Sequence, residues 1–169
     1  RASPVVLISN NGDSPAIAWA KQNRLPAVHI SATSSGSEAA ADAAIAATLA
    51  QYGADLVVLA GYMRKLGPET LGAFSKRVLN VHPALLPKFG GQGMYGSHVH
   101  EAVLNAGEGE TGATIHLVDD AYDHGPIVAQ ARVDVKAGDT PESLAARVMA
   151  KEQELYPETL KRIIAREID

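Results

Sequence analysis

The segment Leu79–Lys88 reads LNVHPALLPK and places two polar side chains at the end of an apolar run. Residues two apart in a β-strand point to the same face, so Asn80 and His82 are expected to project side by side. Pro83 has no N–H to donate to a strand ladder and therefore ends the strand. Open α/β sheets place binding sites in the crevice beyond such strand ends. The same pattern also fits a polar strand end followed by a simple proline turn.

The composition is that of a globular protein, with 169 residues, 46% hydrophobic residues and 20% charged residues. A net charge of −4 argues against a surface for nucleic acid or anionic lipid, which needs clustered Lys and Arg. The sequence contains no cysteine, which excludes disulfides and thiolate sites. No apolar run approaches the roughly 20 residues of a membrane helix. We therefore expect a cytoplasmic protein without nucleic-acid or membrane partners.

Short apolar segments alternate with helical segments through the first half of the chain. We expect strands at Pro4–Ile8, Ala27–Ile30, Leu56–Ala60 and Val78–His82. We expect helices at Ala16–Gln22 and Pro68–Phe74, and an alanine-rich helix that follows the polar stretch Ser31–Ser37 and runs to about Tyr52. The continuous apolar run at Leu56–Ala60 is typical of a strand covered on both faces, as in a parallel sheet. The order predicts an α/β fold, a doubly wound, mostly parallel open sheet with helices on both faces.

The second half of the chain departs from this regular alternation of strands and helices. Ser97–Asn105 is expected to be helical, and Ala113–Val118 and Pro126–Val135 are expected to be strands. A final helix begins after Thr140 and runs to about Tyr156, where Pro157 is expected to break or kink it.

A second polar cluster, DDAYDHGP at Asp119–Pro126, lies between the last two predicted strands. It fits a solvated turn, but it also lies at a strand end, where it could converge with His82. An Asp that faces a His is a common way to orient an imidazole or to hold it protonated.

Two other motifs give weaker evidence of a functional site. Gly91–Gly96 matches G-x-G-x-x-G but does not follow a strand, so we reject a dinucleotide site and expect a flexible loop bordering the site. His98 and His100 are two apart on a predicted helix and so lie on different faces. The six histidines form no metal-binding pattern, and we expect no metal.

The motifs together resemble the folate-dependent formyltransferases. The resemblance rests on LNVHPALLPK and on YDHGP at Tyr122–Pro126. LAGYMR at Leu59–Arg64, GATIH at Gly112–His116 and AGDT at Ala137–Thr140 also match. The matching segments occur in the family's order over nearly the whole chain.

The resemblance implies formyl transfer from 10-formyltetrahydrofolate to the amine of glycinamide ribonucleotide, a one-carbon step of purine (IMP) synthesis. It implies that Asn80 and His82 donate to the oxyanion of a tetrahedral intermediate. Asp123 would assist proton transfer from the attacking amine to the leaving folate nitrogen. A carboxylate beside His82 is expected to favour the cationic imidazole.

The family's binding residues can also be carried over. The resemblance implies folate contacts from Met63, Arg64, Lys65, Leu66, Val118, Asp119, Asp120, Ala121 and Tyr122. It implies contacts with the ribonucleotide from Gly61, Met63 and Glu152. The chain is expected to act as a monomer or homodimer on these small-molecule substrates.

We expect a single formyltransferase domain over residues 1–169 that is incomplete at its N-terminus. The family begins with a strand and a phosphate-binding loop that this sequence does not contain. Two alternatives therefore stay open. One is a folate-binding homologue or fragment without catalytic activity, and the other is another formyltransferase or hydrolase that uses 10-formyltetrahydrofolate.

Overall fold

A computed structural model describes residues 2–166 of the chain. These residues form two compact units. The first contains Ala2–Val57 and Arg64–Val78, and the second contains Val58–Met63 and the chain from Leu79 onward. The expectation of a single domain stays a prediction. No helix among residues 2–166 combines the length and apolar character needed to cross a bilayer.

The secondary structure alternates strands and helices along most of the chain. In order, the elements are β1 (Leu7–Ser9), α1 (Pro15–Gln22), β2 (Ala27–His29), α2 (Ala32–Ser35), α3 (Glu38–Gln51), β3 (Val57–Leu59), α4 (Pro68–Ala73), β4 (Val78–His82), α5 (Ser97–Asn105), β5 (Glu110–Leu117), β6 (Ile127–Asp134) and α6 (Pro141–Ile164).

The strands form two sheets with different pairing. β1 and β2 pair in parallel, with Ile8 opposite Val28. The other sheet has the order β3-β4-β5-β6, in which β5 is antiparallel to both neighbours. β5 and β6 are joined directly by a short loop, a connection that permits only antiparallel pairing. The α/β fold class is confirmed, and the pairings of β5 make the larger sheet more antiparallel than a mostly parallel sheet would be.

Two local predictions were wrong. The predicted break of the last helix at Pro157 is wrong, since α6 continues through it to Ile164, while the alternative of a kink there stays a prediction. Proline has no N–H, so the carbonyl four residues earlier lacks its helical hydrogen bond, but it lies in an exposed turn. Tyr156 and Thr159, on either side of the proline, are buried and hold the helix in place. β3 is not covered on both faces, since Val58 is 42% exposed.

In the first unit, the buried carboxylate of Asp42 caps α4. The N-cap residue of α4 is Gly67, which has no side chain to accept the unpaired N–H groups of the first turn. Asp42 on α3 supplies the acceptors instead: Oδ1 accepts from the N–H groups of Gly67 (3.1 Å) and Thr70 (3.2 Å), and Oδ2 accepts from Glu69 (2.8 Å). A Cβ at residue 67 would collide with this carboxylate.

In the second unit, the hydrophobic core consists of Val103, Val133, Leu144 and Val148. A polar cluster fixes the start of α6 beside this core. Asp139 accepts two hydrogen bonds from Arg147, at 2.7 and 2.9 Å. The Arg147 guanidinium lowers the pKa of the Asp139 carboxyl well below its ordinary value. This ion pair ties the first turns of α6 to the loop that precedes it.

Substitutions at Asp42 test the cap of α4. Asp42→Ala leaves three amides without their acceptor, so we expect the free energy of unfolding to fall by about 2–4 kcal/mol in urea denaturation. Asp42→Asn keeps one acceptor oxygen and should lose less. Glu38→Gln, at an exposed position of the same helix, is the control and should stay within about 1 kcal/mol of the wild type. Equal stability of Asp42→Ala and the control would contradict the capping role.

Candidate active site

The pairing of β4 with β5 brings Asn80 opposite His116. The Asn80 amide nitrogen lies 3.2 Å from Nε2 of His116, and Nδ1 of His116 lies 3.0 Å from the carbonyl oxygen of Leu117. Nδ1 faces an acceptor and donates to this carbonyl, while Nε2 contacts the Asn80 amide. His116 is 2% exposed. The strand pair therefore holds an amide and an imidazole in fixed contact.

Asp123 lies between two buried imidazoles. Its Oδ1 is 3.5 Å from Nε2 of His116, and its Oδ2 is 3.4 Å from Nδ1 of His82. The N–H of Gly91 also donates to Oδ2, at 3.0 Å. Burial alone would raise the pKa of Asp123, but the His116 hydrogen bond, the nearby His82 and the Gly91 amide outweigh it and lower this pKa. The carboxyl group is therefore held ionised.

Both ring nitrogens of His82 face hydrogen-bond acceptors. Nε2 donates to the carbonyl oxygen of Phe89 at 2.6 Å, and Nδ1 faces Asp123. Only the imidazolium satisfies both acceptors. Burial is nevertheless the largest effect and lowers the pKa of His82, although Asp123 and the Phe89 carbonyl act in the opposite direction. Asp123 thus favours the cationic imidazole, as expected, but desolvation outweighs this effect.

The loop that follows His82 is fixed by Thr114 of β5. The Thr114 hydroxyl donates to the carbonyl of Ala84 (2.7 Å) and accepts from the N–H of Leu86 (3.1 Å). Gln130 of β6 donates to the same hydroxyl and to the carbonyl of Leu86. Buried polar groups are costly unless they are paired, so this network holds the loop in one conformation.

Two glycines allow the loops of the site to pack closely against neighbouring segments. A Cβ at Gly125 would collide with the carbonyl oxygen of Leu117, and a Cβ at Gly90 would collide with the side chain of Leu86. The same Cβ at residue 90 would lie 3.2 Å from the Cβ of Asp123. These positions keep Asp123 against β5 and against the glycine-rich loop, which borders the site as expected.

The remaining polar side chains of the Asp119–Pro126 loop are exposed or partly exposed. Asp119 pairs with His124 at 3.1 Å, and this hydrogen bond is the main cause of a lowered pKa for Asp119. Asp120 and Tyr122 are also exposed. Part of the loop is thus a solvated turn, and Asp123 is its one carboxylate within contact distance of His82 in the described residues.

The other predicted binding residues are distributed over both units. Gly61 and Met63, like Val118 and Ala121, belong to the same unit as Asp123, and Met63 is 62% exposed. Arg64, Lys65 and Leu66 belong to the first unit.

Glu152 lies on α6 and is half-buried, and burial raises the pKa of its carboxyl group. Its binding role, like those of the other predicted contacts, stays a prediction. Within residues 2–166, no three His, Cys, Asp or Glu side chains are grouped so as to hold a metal ion.

Comparison with known proteins identifies the family. The family described as formyl transferase matches residues 1–160. The chain is 44% identical over 160 residues to the chloroplastic phosphoribosylglycinamide formyltransferase of Arabidopsis thaliana, covering 94% of this chain and 55% of that protein. It is 36% identical over 151 residues to the phosphoribosylglycinamide formyltransferase of Escherichia coli K12, covering 89% and 69%. The chain spans about half the length of the chloroplastic relatives it matches.

Solved structures agree with the sequence comparison. Phosphoribosylglycinamide formyltransferase from Bacillus halodurans superposes with a TM-score of 0.88 at 36% identity, covering 96% of this chain and 81% of that one. The Streptococcus pneumoniae enzyme gives a TM-score of 0.86 at 37% identity, covering 95% and 86%. The resemblance drawn from the motifs and the α/β fold class are confirmed, and the chain belongs to the formyl transferase family.

Proposed function

We propose that this chain transfers the formyl group of 10-formyltetrahydrofolate to the amine of glycinamide ribonucleotide, a step of purine synthesis. The names of the relatives from Arabidopsis thaliana and Escherichia coli support this substrate. The observation that carries the proposal is the Asp123 carboxylate between His82 and His116. Asn80 is in contact with the His116 imidazole. A carboxylate, an imidazole and an amide are the groups that acyl transfer to an amine requires.

Asn80 and His82 would stabilise the negative charge that develops on the formyl oxygen. One N–H of the Asn80 amide faces His116, which leaves a second N–H to donate to the substrate. His82 lies two residues further along β4, on the same face. Its Nε2–H donates to the Phe89 carbonyl in the free chain and would exchange this acceptor for the formyl oxygen when substrate binds. Donors held close to the position where charge develops stabilise the transition state.

Asp123 would accept a proton from the attacking amine. Its lowered pKa keeps the carboxylate ionised at neutral pH. The amine loses one proton when its nitrogen bonds to the formyl carbon, and the leaving folate nitrogen gains one when its bond to that carbon breaks. Asp123 and His82 are adjacent and can share a proton, so the pair can carry it from one nitrogen to the other.

The substrate contacts follow from the family resemblance. We assign the folate to Met63, Arg64, Lys65, Leu66 and the Val118–Tyr122 segment, and the ribonucleotide to Gly61, Met63 and Glu152. Asp120, Tyr122 and Met63 are exposed and Asp119 is partly exposed, which is consistent with surfaces that a ligand can reach. A cytoplasmic location and a monomeric or homodimeric state remain predictions from the sequence.

Substitution of the catalytic groups tests the proposal. Asp123→Asn removes the proton acceptor, and His82→Ala removes a donor to the oxyanion. Each should lower kcat/KM for formyl transfer by about 10²–10³-fold, the range observed when one oxyanion donor is lost. Formation of formylated product from both purified substrates is the measurement.

Two exposed residues outside the site serve as matched controls. Asp55→Asn and His98→Ala remove the same chemical groups and should retain wild-type activity. Titration with each substrate separates binding from catalysis. Folate binding without any transfer by the wild-type chain would contradict the proposed function, as would near-normal turnover in either site variant.

The protonation of His82 should make the free energy of unfolding depend on pH. Burial lowers the pKa of His82 from 6.5, so the unfolded chain takes up this proton before the folded one does. The free energy of unfolding should therefore fall as the pH drops below about 6.5. His82→Gln cannot titrate and should lose less stability between pH 7.5 and pH 5 in urea denaturation.

His100, whose pKa is also lowered mainly by burial, is present in both proteins and contributes with the same sign. The substitution removes the titration of His82 together with its smaller effect on the pKa of His100. If both proteins lost the same stability over this range, His82 would not be held in its neutral form by burial.

A further inference from the structure

One face of α6 carries a carboxylate in a row of buried side chains. Residues spaced four apart lie on the same face of a helix, and one such row on α6 contains Leu144, Val148, Glu152 and Tyr156. The first two residues and Tyr156 are buried, and Glu152 is half-buried. Glu152 therefore lies on the inner side of the helix and not on its solvent-exposed side.

The Glu152 carboxylate has no partner to offset its burial. Burial raises the pKa of this carboxyl group, and no hydrogen bond or ion pair within residues 2–166 acts in the opposite direction. An ionised carboxylate accepts hydrogen bonds at both of its oxygens. Glu152 is therefore available to the hydroxyl or amine donors of a ligand, which agrees with its proposed contact with the ribonucleotide.

Tyr156, one turn after Glu152, ties α6 to β3. Its hydroxyl donates a hydrogen bond of 3.0 Å to the carbonyl oxygen of Leu59. The side chain is buried, and burial raises the pKa of the Tyr156 hydroxyl, so this group keeps its proton and stays a donor at neutral pH. Leu59 is the last residue of β3. The hydrogen bond therefore fixes the point at which the chain leaves the strand.

The segment that leaves β3 carries the other proposed ribonucleotide contacts. Gly61 follows Leu59 by two residues, and Met63 follows it by four. Gly61 has a φ of +65°, a left-handed conformation that turns the chain and that glycine adopts without strain. No helix or strand is formed between β3 and α4. The position of this segment therefore depends on contacts such as the hydrogen bond at Leu59.

We propose that the hydroxyl of Tyr156 is a positioning group for the ribonucleotide. It joins α6, which carries Glu152, to the segment that carries Gly61 and Met63, and so holds the proposed contacts in register. The inference rests on the proposed function, and Tyr156 acts through these neighbours and not on the formyl group. A site that is held in its binding geometry binds more tightly, because less order has to be created when the ligand arrives.

Tyr156→Phe tests this role, because it removes the hydroxyl and keeps the ring. At saturating 10-formyltetrahydrofolate, KM for glycinamide ribonucleotide should rise roughly three- to tenfold, as expected for one lost hydrogen bond, while kcat stays within about twofold. Thr159→Val is the control, because the Thr159 hydroxyl is also buried on α6 but donates to the carbonyl of Leu155 within the same helix. This control should keep the wild-type KM and kcat.

A double-mutant cycle with Glu152→Ala separates positioning from a general loss of stability. If Tyr156 acts by aligning Glu152 with the segment after β3, its hydroxyl matters less once the carboxylate is gone. Tyr156→Phe should then raise KM by less than about twofold in the Glu152→Ala chain. NMR of the free protein gives a readout that needs no turnover: the amide signals of Gly61 and Met63 should shift in Tyr156→Phe and not in Thr159→Val.

Three results would overturn the positioning role while the wild-type chain turns over normally. One is a wild-type KM in Tyr156→Phe. Another is a rise in KM that is equally large with and without the Glu152 carboxylate. The third is the absence of any shift at Gly61 and Met63 in Tyr156→Phe. A wild-type chain that neither binds nor formylates glycinamide ribonucleotide would contradict the proposed function itself, and this inference with it.

Discussion

The candidate site depends on a buried carboxylate that two imidazoles hold in place. Asp123 is drawn between His82 and His116 because a buried charge is unfavourable unless opposite partial charges and hydrogen bonds surround it. The Gly91 amide adds a third partner. This requirement fixes the loop that carries Asp123, the strand that carries His116 and the glycine-rich loop in one arrangement, and Asn80 joins it through His116.

Each of the two units surrounds a carboxylate with hydrogen-bond donors from the chain. In the first unit, the carboxylate of Asp42 accepts three backbone N–H groups that begin α4. In the second, Asp123 accepts one backbone N–H and contacts two side chains. Both groups are buried, and both replace water with hydrogen-bond donors that the chain holds in position. The difference lies in the partners, since imidazoles can exchange protons with a carboxylate and backbone amides cannot.

The sequence predicted the strand ends and the three principal side chains of the site. Asn80 and His82 followed from the two-residue period of a strand. The polar loop was expected to converge with His82, and the family resemblance singled out Asp123 among its carboxylates. The period did not identify His116 as the bridge between Asn80 and Asp123, because that contact depends on the register of β4 against β5. The hydrogen bonds of Phe89 and Gly91 come from the backbone, which leaves no signature in side-chain types. The effect of Asp123 on the His82 pKa could be expected from the sequence, but the larger effect of burial could not, because the degree of burial is a property of the folded chain.

The protonation state of Asp123 is the central claim of this account, and its titration in the folded protein tests it directly. The side-chain carboxyl carbon can be followed by ¹³C NMR as the pH is lowered. We expect its pKa to lie below the ordinary value of 3.8 and to rise when His116 is replaced by alanine. A pKa at or above 3.8 in the wild-type chain would contradict the account, because the two imidazoles would then not be holding the carboxylate ionised.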